Sequence, residues 1–248
     1  MFTSNKQASN RSQFEGKSVL VTGGTRGIGN TIAQEFHELG AIVFVTGRVI
    51  QPELNKNFKF LPCDFSDRTQ VSRLCESMAF EQIDILINNA GINKIGSIET
   101  YDVVDFDLIY EINVRTPFLL SKAILPGMKQ KKWGRIINIS SVFGKVSKEF
   151  RSAYSASKFA LDGFTVALAA EYSQFGILAN CVAPGFIDTE LTRKILGEKG
   201  ISEMISRVPI NRLGTASEIS KLVLWLASEE NTFVTGQNIA ADGGFTRV

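Results

Sequence analysis

The chain is short of the groups on which metal and triad chemistry depend. Its 248 residues include one histidine, three cysteines, six prolines and two tryptophans. A single histidine, His37, offers no His–Cys–carboxylate cluster for a metal ion. It also leaves every serine without the base of a Ser-His-Asp triad. His37 falls within a helical stretch and reads as a surface residue. Cys63, Cys75 and Cys181 are odd in number and irregular in spacing, which suits neither a disulfide framework nor a zinc site. Reduced thiols in a cytoplasmic protein are the simpler reading. No apolar run reaches the ~20 residues of a membrane helix, and the N-terminus has no apolar core of a secretory signal. Residues 1–14, rich in Ser, Asn and Gln, are predicted to form a flexible polar tail. The net charge is only +2 and both signs are interspersed, so a nucleic-acid or polybasic membrane role has no electrostatic support. The short basic run Lys129 to Lys132 reads as a solvated helix end.

What is present is an ordinary globular composition, 44% hydrophobic and 21% charged, of a size that fits one large domain over residues 15–248. Short β-branched runs alternate with longer helical stretches. Strands are predicted at 18–22, 41–46, 59–62, 84–87, 135–140, 178–182 and 236–241. Helices are predicted at 28–39, 67–78, 103–130, 153–175 and 217–227, with Gly40 ending the first. Residues 189–212 look less regular, and 189–214 is expected to cap a pocket. Strands apolar on both faces, alternating with helices, imply an α/β domain with a parallel sheet covered on both sides.

Thr22-Gly-Gly-Thr-Arg-Gly-Ile-Gly29 lies between the first strand and the first helix. Gly23, Gly27 and Gly29 let backbone approach a pyrophosphate, and the helix N-terminus then presents free N–H groups to it. A carboxylate that would bond a ribose 2′-OH belongs at the end of the second strand. Gly47 stands there instead, followed by Arg48. With Arg26 it forms a candidate pair of guanidinium forks for a 2′-phosphate, so NADP(H) is expected over NAD(H).

Tyr154 and Lys158 are one helical turn apart and share a face. A neighbouring ammonium favours the phenolate, so Lys158 is expected to lower the Tyr154 pKa toward useful acid–base chemistry. Ser141 follows a strand end, where sites form in parallel sheets, and is placed to bond a substrate oxygen; Ser140 reads as satisfying turn backbone. Pro117 has no N–H for the carbonyl of Asn113, so a kink is expected there. The freed carbonyl can hold a water, or the kink has no chemical role. Asn88, Asn89, Ala90 and Gly91 end the fourth strand with small and amide groups that suit close packing beside a cofactor. Pro184 and Gly185 turn the chain over its nicotinamide end, with Thr189 as a polar contact. Asp64 either accepts from the adenine amino group or caps the next turn.

In order along the chain these motifs resemble the short-chain dehydrogenase/reductase family over residues 16–248. The resemblance implies a doubly wound Rossmann fold with a seven-stranded parallel sheet, and commonly a homotetramer. It implies that Tyr154 donates a proton to the carbonyl, that Lys158 tunes it and holds the ribose, that Ser141 orients the carbonyl, and that Asn113 supports a water relay. The cofactor set it implies is Gly23, Thr25, Arg26, Gly27, Ile28, Gly29, Arg48, Asp64, Phe65, Asn89, Ala90, Gly91, Tyr154, Lys158, Pro184, Gly185, Ile187 and Thr189. Residues 134–141 and 236–244 are similar to the 3-oxoacyl-acyl-carrier-protein reductase branch, which implies a role in fatty acid synthesis. That branch docks its acidic carrier through two basic residues; Lys132 matches one, but Phe175 stands at the other.

Three readings follow: a ketone reductase, with 3-oxoacyl thioesters as one substrate class; an enzyme for a sugar, polyol or sugar-derived hydroxyl; and a non-catalytic NADP-binding regulatory or scaffold protein. The pocket is expected from residues 92–97, 142–150 and 186–204. Phe143, Phe150 and Phe186 either wall it or pack the core, and Lys94 and Lys145 either meet an anion or stay solvated.

Overall fold

A computed structural model describes residues 13–49 and 57–248. Seven strands form one sheet: β1 (Ser18–Val21), β2 (Ile42–Gly47), β3 (Lys59–Pro62), β4 (Ile85–Asn88), β5 (Gly134–Ile139), β6 (Ile177–Pro184) and β7 (Asn238–Ala241). They lie in the order β3-β2-β1-β4-β5-β6-β7, every pair parallel. The helices are α1 (Gly27–Glu38), α2 (Arg68–Phe80), α3 (Val103–Tyr110), α4 (Thr116–Lys131), α5 (Ser152–Tyr172), α6 (Glu190–Ile205) and α7 (Ala216–Ala227). The predicted doubly wound sheet is thus present.

Alternation of side chains along each strand divides the core into two layers. Val19, Val21, Val43, Val45, Ile85 and Ile87 point to one face and pack with Ile32 and Phe36 of α1 and Ile219 and Val223 of α7. Leu20, Phe44, Leu86 and Ile136 point to the other, against Leu74 and Met78 of α2 and Leu120 and Ile124 of α4. Burying each such side chain is worth ~1.5–3 kcal/mol. The chain leaves β1 toward β2 on one side and returns past it to β4 on the other, so a crevice opens beyond the carboxyl ends of β1 and β4. Loops after β1, β4, β5 and β6 meet at that rim. Among the described residues no helix is long and apolar enough to cross a membrane.

Three expectations need correction. Residues 1–12 of the predicted tail lie outside the described residues, but Phe14 is not tail. It is 1% exposed, its ring meets Phe36 at 4.8 Å, and its N–H donates to Leu39 O at 3.1 Å. One aromatic anchored under α1 outweighs a polar composition. Residues 190–205 are helical rather than irregular; Gly197, at φ 61°, breaks the helix internally, which blurs its period. Third, residues 103–131 are not one helix. A π turn, Glu111–Arg115, separates α3 from α4. With no N–H on Pro117 the usual ladder fails. The carbonyl of Glu111 instead takes both the backbone N–H and the hydroxyl of Thr116, the latter at 3.0 Å.

Candidate active site

The turn after β1 is held by hydroxyls and two side-chain amides, one of them Asn30 Nδ2, which donates to Gly24 O at 3.3 Å. Thr22 Oγ1 accepts from the N–H groups of Asn89 and Ala90, both at 3.0 Å. Asn89 Nδ2 donates to the carbonyls of Thr22 at 2.9 Å and Gly23 at 3.1 Å. Thr46 Oγ1 accepts from Gly23 N–H at 3.1 Å. The turn is therefore bolted to the strands on either side of β1. A Cβ on Gly29 would lie 2.3 Å from Asn89 Nδ2 and 2.6 Å from Gly23 O, so the Asn89 amide and the Gly23 backbone fill the space. Helix α1 begins without a side-chain cap and with no acid in its first turn. Its free N–H groups thus face the crevice as an anion site. A Cβ on Gly47 would lie 2.5 Å from Thr25 Cγ2 and 3.3 Å from the Phe60 ring, so a carboxylate side chain has no room there. Arg26 is exposed, and Arg48 lies close enough to Asp64 to help hold its carboxyl low.

Of the two roles open to Asp64, capping is the one its contacts show. Oδ1 accepts from Ser66 N–H at 3.0 Å and Ser66 Oγ at 2.7 Å. The Phe65 side chain is buried in the core beneath α2, so only its backbone can face a ligand. Ile28 and Ile187 likewise pack against the core. Ile187 pairs with Gly214 in a bridge, Gly185 N–H donates to Ala241 O at 3.0 Å, and Thr189 caps α6 through Thr192 N–H. A Cβ on Gly27 would meet Thr189 Cγ2 at 3.8 Å. The segment after β6 therefore crosses to the phosphate end of the crevice.

On the other side of the crevice the site is made of side chains. Ser141 Oγ accepts from Phe143 N–H at 3.1 Å, which fixes the hydroxyl and leaves its proton to donate. Lys158 is 4% exposed, and its Nζ donates to Ile139 O at 2.8 Å. A Cβ on Gly91 would lie 3.3 Å from Asn113 Oδ1 and 3.4 Å from Lys158 Nζ; glycine there opens a face onto both groups. Asn113 is 1% exposed and all its amide atoms are used. Oδ1 accepts from Ile92 N–H at 2.9 Å, and Nδ2 donates to Ile92 O at 2.9 Å and Ser157 Oγ at 3.0 Å. Its side chain clamps the loop after β4 to α5, leaving only the main chain for any water.

The Tyr154 phenol does not titrate as the sequence suggests. Burial raises its pKa, with the Ser141 hydroxyl and the Arg151 charge pulling the other way. Burial also drives the Lys158 ammonium down to about 8, Cys181 opposing. Lys158 Nζ sits 5.7 Å from the Tyr154 ring centre, and desolvation outweighs a cation at that range. Tyr154 is accordingly a protonated phenol at neutral pH.

The sequence marks Asn88 as packing beside a cofactor, but its partners Asn138 and Thr165 went unread as positioning groups. Asn88 Nδ2 donates to Asn138 Oδ1 at 2.8 Å, and Asn138 Nδ2 donates to Thr165 Oγ1 at 2.7 Å. This buried polar row ties β4 and β5 to α5, the helix that carries Tyr154 and Lys158. An asparagine inside the apolar run of β5 was its signal. Lys94, by contrast, is ion-paired to Asp105, and Lys145 Nζ donates to Asn238 O at 2.8 Å. Phe143 is 8% exposed and Phe150 53%, so they are wall and rim. Phe143 meets Phe186 at 6.5 Å.

Known proteins place this arrangement. A family profile described as enoyl-(acyl carrier protein) reductase matches residues 23–246. The 3-oxoacyl-[acyl-carrier-protein] reductase of Escherichia coli (strain K12) is 37% identical over 243 residues, 95% of this chain and 99% of the relative. A solved short chain dehydrogenase/reductase family protein superposes with a TM-score of 0.88 at 34% identity, covering 95% of this chain and all of that one. A gluconate 5-dehydrogenase from Burkholderia cenocepacia J2315, in complex with NADP and tartrate, gives 0.88 at 30% identity, covering 97% and 99%. The chain belongs to the short-chain dehydrogenase/reductase family, and it is an oxidoreductase of that family.

Proposed function

We propose that this protein is an NADP(H)-dependent oxidoreductase that interconverts a ketone and a secondary alcohol. The observation that carries the proposal is the meeting of the Tyr154 phenol and the Ser141 hydroxyl at the rim where Lys158 and Gly91 also lie. A nicotinamide held at this rim would supply the hydride in reduction and accept it in oxidation. Ser141 donates a hydrogen bond to the substrate oxygen. Tyr154 gives its phenolic proton to that oxygen as the C–O bond becomes an alcohol, and takes it back in reverse. Lys158 offers its remaining N–H donors to the ribose and stabilises the phenolate that is left. Gly23, Thr25, Gly27, Ile28 and Gly29 hold the pyrophosphate by backbone, and Arg26 and Arg48 take the 2′-phosphate. Asn89, Ala90, Gly91, Pro184, Gly185 and Thr189 line the path to the nicotinamide, and residues 189–214 cap the substrate. A protein that only binds its cofactor has no use for this proton-donor set.

Two substrate classes compete. A 3-oxoacyl thioester fits the named role of the E. coli relative. Against a carrier-bound form, Phe175 replaces the second docking base, and Lys129 Nζ lies 4.2 Å over its ring. A sugar-derived hydroxyl fits the named role of the B. cenocepacia structure. The experiment is an NADPH-oxidation screen of acetoacetyl thioesters, keto sugar acids and simple ketones. Turnover with at least one class is expected, with NADPH preferred to NADH in kcat/KM. No turnover with any class sinks the enzymatic reading, and a tenfold preference for NADH reverses the cofactor assignment. Exposed Phe118, Phe159 and Val166 on α4 and α5, at 50%, 47% and 52%, support association of copies through these helices. Light scattering that returns a tetramer is the expected result, and a monomer refutes it.

A further inference from the structure

Among the described residues two arginines are partly or wholly buried, and they are satisfied very differently. Arg135 is 4% exposed and is a structural arginine. Its guanidinium donates to the carbonyls of Gly134 at 2.9 Å, Asn231 at 3.0 Å, Gly176 at 3.2 Å and Ser228 at 3.3 Å. Arg151 is half-buried, and its Nε is fully enclosed with no hydrogen-bond partner. Its guanidinium has no ion pair among the described residues. Its carbon lies 5.5 Å from the centre of the Phe143 ring, on the apolar wall that follows Ser141. An enclosed Nε–H without a partner is costly, and the place of Arg151 in the site offers an explanation.

That place is specific. Arg151 is the residue before α5, one helical turn ahead of Tyr154 and close enough to act on the phenol's ionisation. The residue that delivers it, Phe150, has φ 64°, a left-handed conformation costly for an aromatic residue. Its carbonyl accepts from Gly96 N–H at 3.2 Å. This joins the segment before α5 to the loop after β4, so the strained turn is built into the substrate side of the crevice. The phosphate end lies across the sheet at the start of α1, so a cofactor phosphate is not what Arg151 faces.

We propose that Arg151 is a specificity-determining residue that binds a carboxylate of the substrate, so that the protein acts on a small oxo or hydroxy acid. A planar guanidinium matches a carboxylate through two parallel N–H···O bonds. Arg151 is the N-cap residue of the helix, one turn ahead of Tyr154, and its charge acts on the phenol, so a substrate whose carboxylate is close to the reacting carbon fits the spacing of the two side chains. A thioester whose anion is the distant phosphate of its carrier arm does not satisfy that spacing.

This inference rests on the hydride-transfer reading above, so its test has one arm that needs no turnover. Calorimetry of the NADP-loaded protein compares gluconate with sorbitol, an uncharged polyol of the same carbon number. Kinetics compare acetoacetate, ethyl acetoacetate, a phosphate-free acetoacetyl thioester and acetoacetyl-coenzyme A. The expected result is that the acids bind more tightly and react better than their neutral counterparts. Arg151→Met should weaken the acids by about tenfold or more in Kd and KM, while values for the ester and the phosphate-free thioester stay within about twofold. Arg151→Lys should recover part of the loss. If Arg151→Met lowers kcat equally for acid and ester, the arginine acts through Tyr154 and the proposal falls. If only acetoacetyl-coenzyme A is weakened, the anion read is a phosphate and the proposal also falls. Preferential gluconate binding that is unchanged by Arg151→Met refutes it even when no substrate turns over.

Discussion

The two walls of the crevice are built on opposite rules. The wall after β1 is a place kept empty: Gly23 and Gly29 let backbone close to near contact, and threonine hydroxyls and two asparagines brace it. The wall formed by the end of β5 and the start of α5 is a place kept occupied, with Ser141 and Lys158 buried beside Tyr154. The first should be damaged by adding atoms and the second by removing them. The difference follows from what each wall meets. A pyrophosphate is bound by N–H groups that every residue but proline has, whereas proton transfer needs one side chain of the right chemistry at one place.

The sharpest break of that contrast is Tyr154→Phe, which removes one oxygen from the occupied wall. Loss of a general acid is expected to lower kcat by roughly a thousandfold, while NADPH affinity, measured by fluorescence titration, stays within about twofold. Activity near wild type would remove Tyr154 from its role. The matching insertion is Gly29→Ala. In an open helix alanine is favoured over glycine by ~1 kcal/mol, but here its Cβ would lie 2.6 Å from Gly23 O. NADPH affinity is expected to fall about a hundredfold, since overpacking against backbone costs ~1–3 kcal/mol. Gly163 of α5 is the control, with nothing within 4 Å of an added Cβ. Gly163→Ala should raise the melting temperature by a few degrees. If Gly29→Ala behaves like Gly163→Ala, the claim that the first wall must stay empty is wrong.

Arg48→Gln tests one of the two side chains assigned to the 2′-phosphate at the empty wall. It is expected to raise the KM for NADPH roughly tenfold and leave that for NADH unchanged. Equal effects on both would mean that Arg48 does not touch the 2′-phosphate.

The same contrast explains what could be read from the sequence. The glycine turn was legible because glycines at Gly23, Gly27 and Gly29 after an apolar strand have few other uses. The sheet was legible because its strands are apolar on both faces. Tyr154 and Lys158 were legible as a spacing, but the direction of their titration was not. Burial sets it, and Lys158 is surrounded by groups such as Ile139 and Gly91 that reach the site from a strand and a loop far apart in sequence. Asn113 was legible as a kink, whereas its clamp on Ile92 and Ser157 needs contacts between residues 21 and 44 positions apart. Arg151 carried no pattern at all; only its lack of partners, visible in three dimensions, marks it.

The smallest expected effect concerns stability, and it separates the walls by sign. The Lys158 pKa is depressed from 10.5 to about 8 in the folded protein. Below about pH 8 both folded and unfolded chains carry this charge, and the folded one bears the full cost of burying it. Between about 8 and 10.5 the unfolded chain holds more protons, so stability rises with pH through that window. The shift corresponds to on the order of 3 kcal/mol at neutral pH, part of it offset by the bond to Ile139 O. Lys158→Met should therefore stabilise the cofactor-free protein at pH 7 by about 1–2 kcal/mol, a rise of a few degrees in melting temperature, and should abolish most turnover. It should also flatten the gain in stability above pH 8. A variant that is less stable than the parent at pH 7 would show that the ammonium is a net support of the fold. The occupied wall would then be held together by its catalytic groups rather than strained by them.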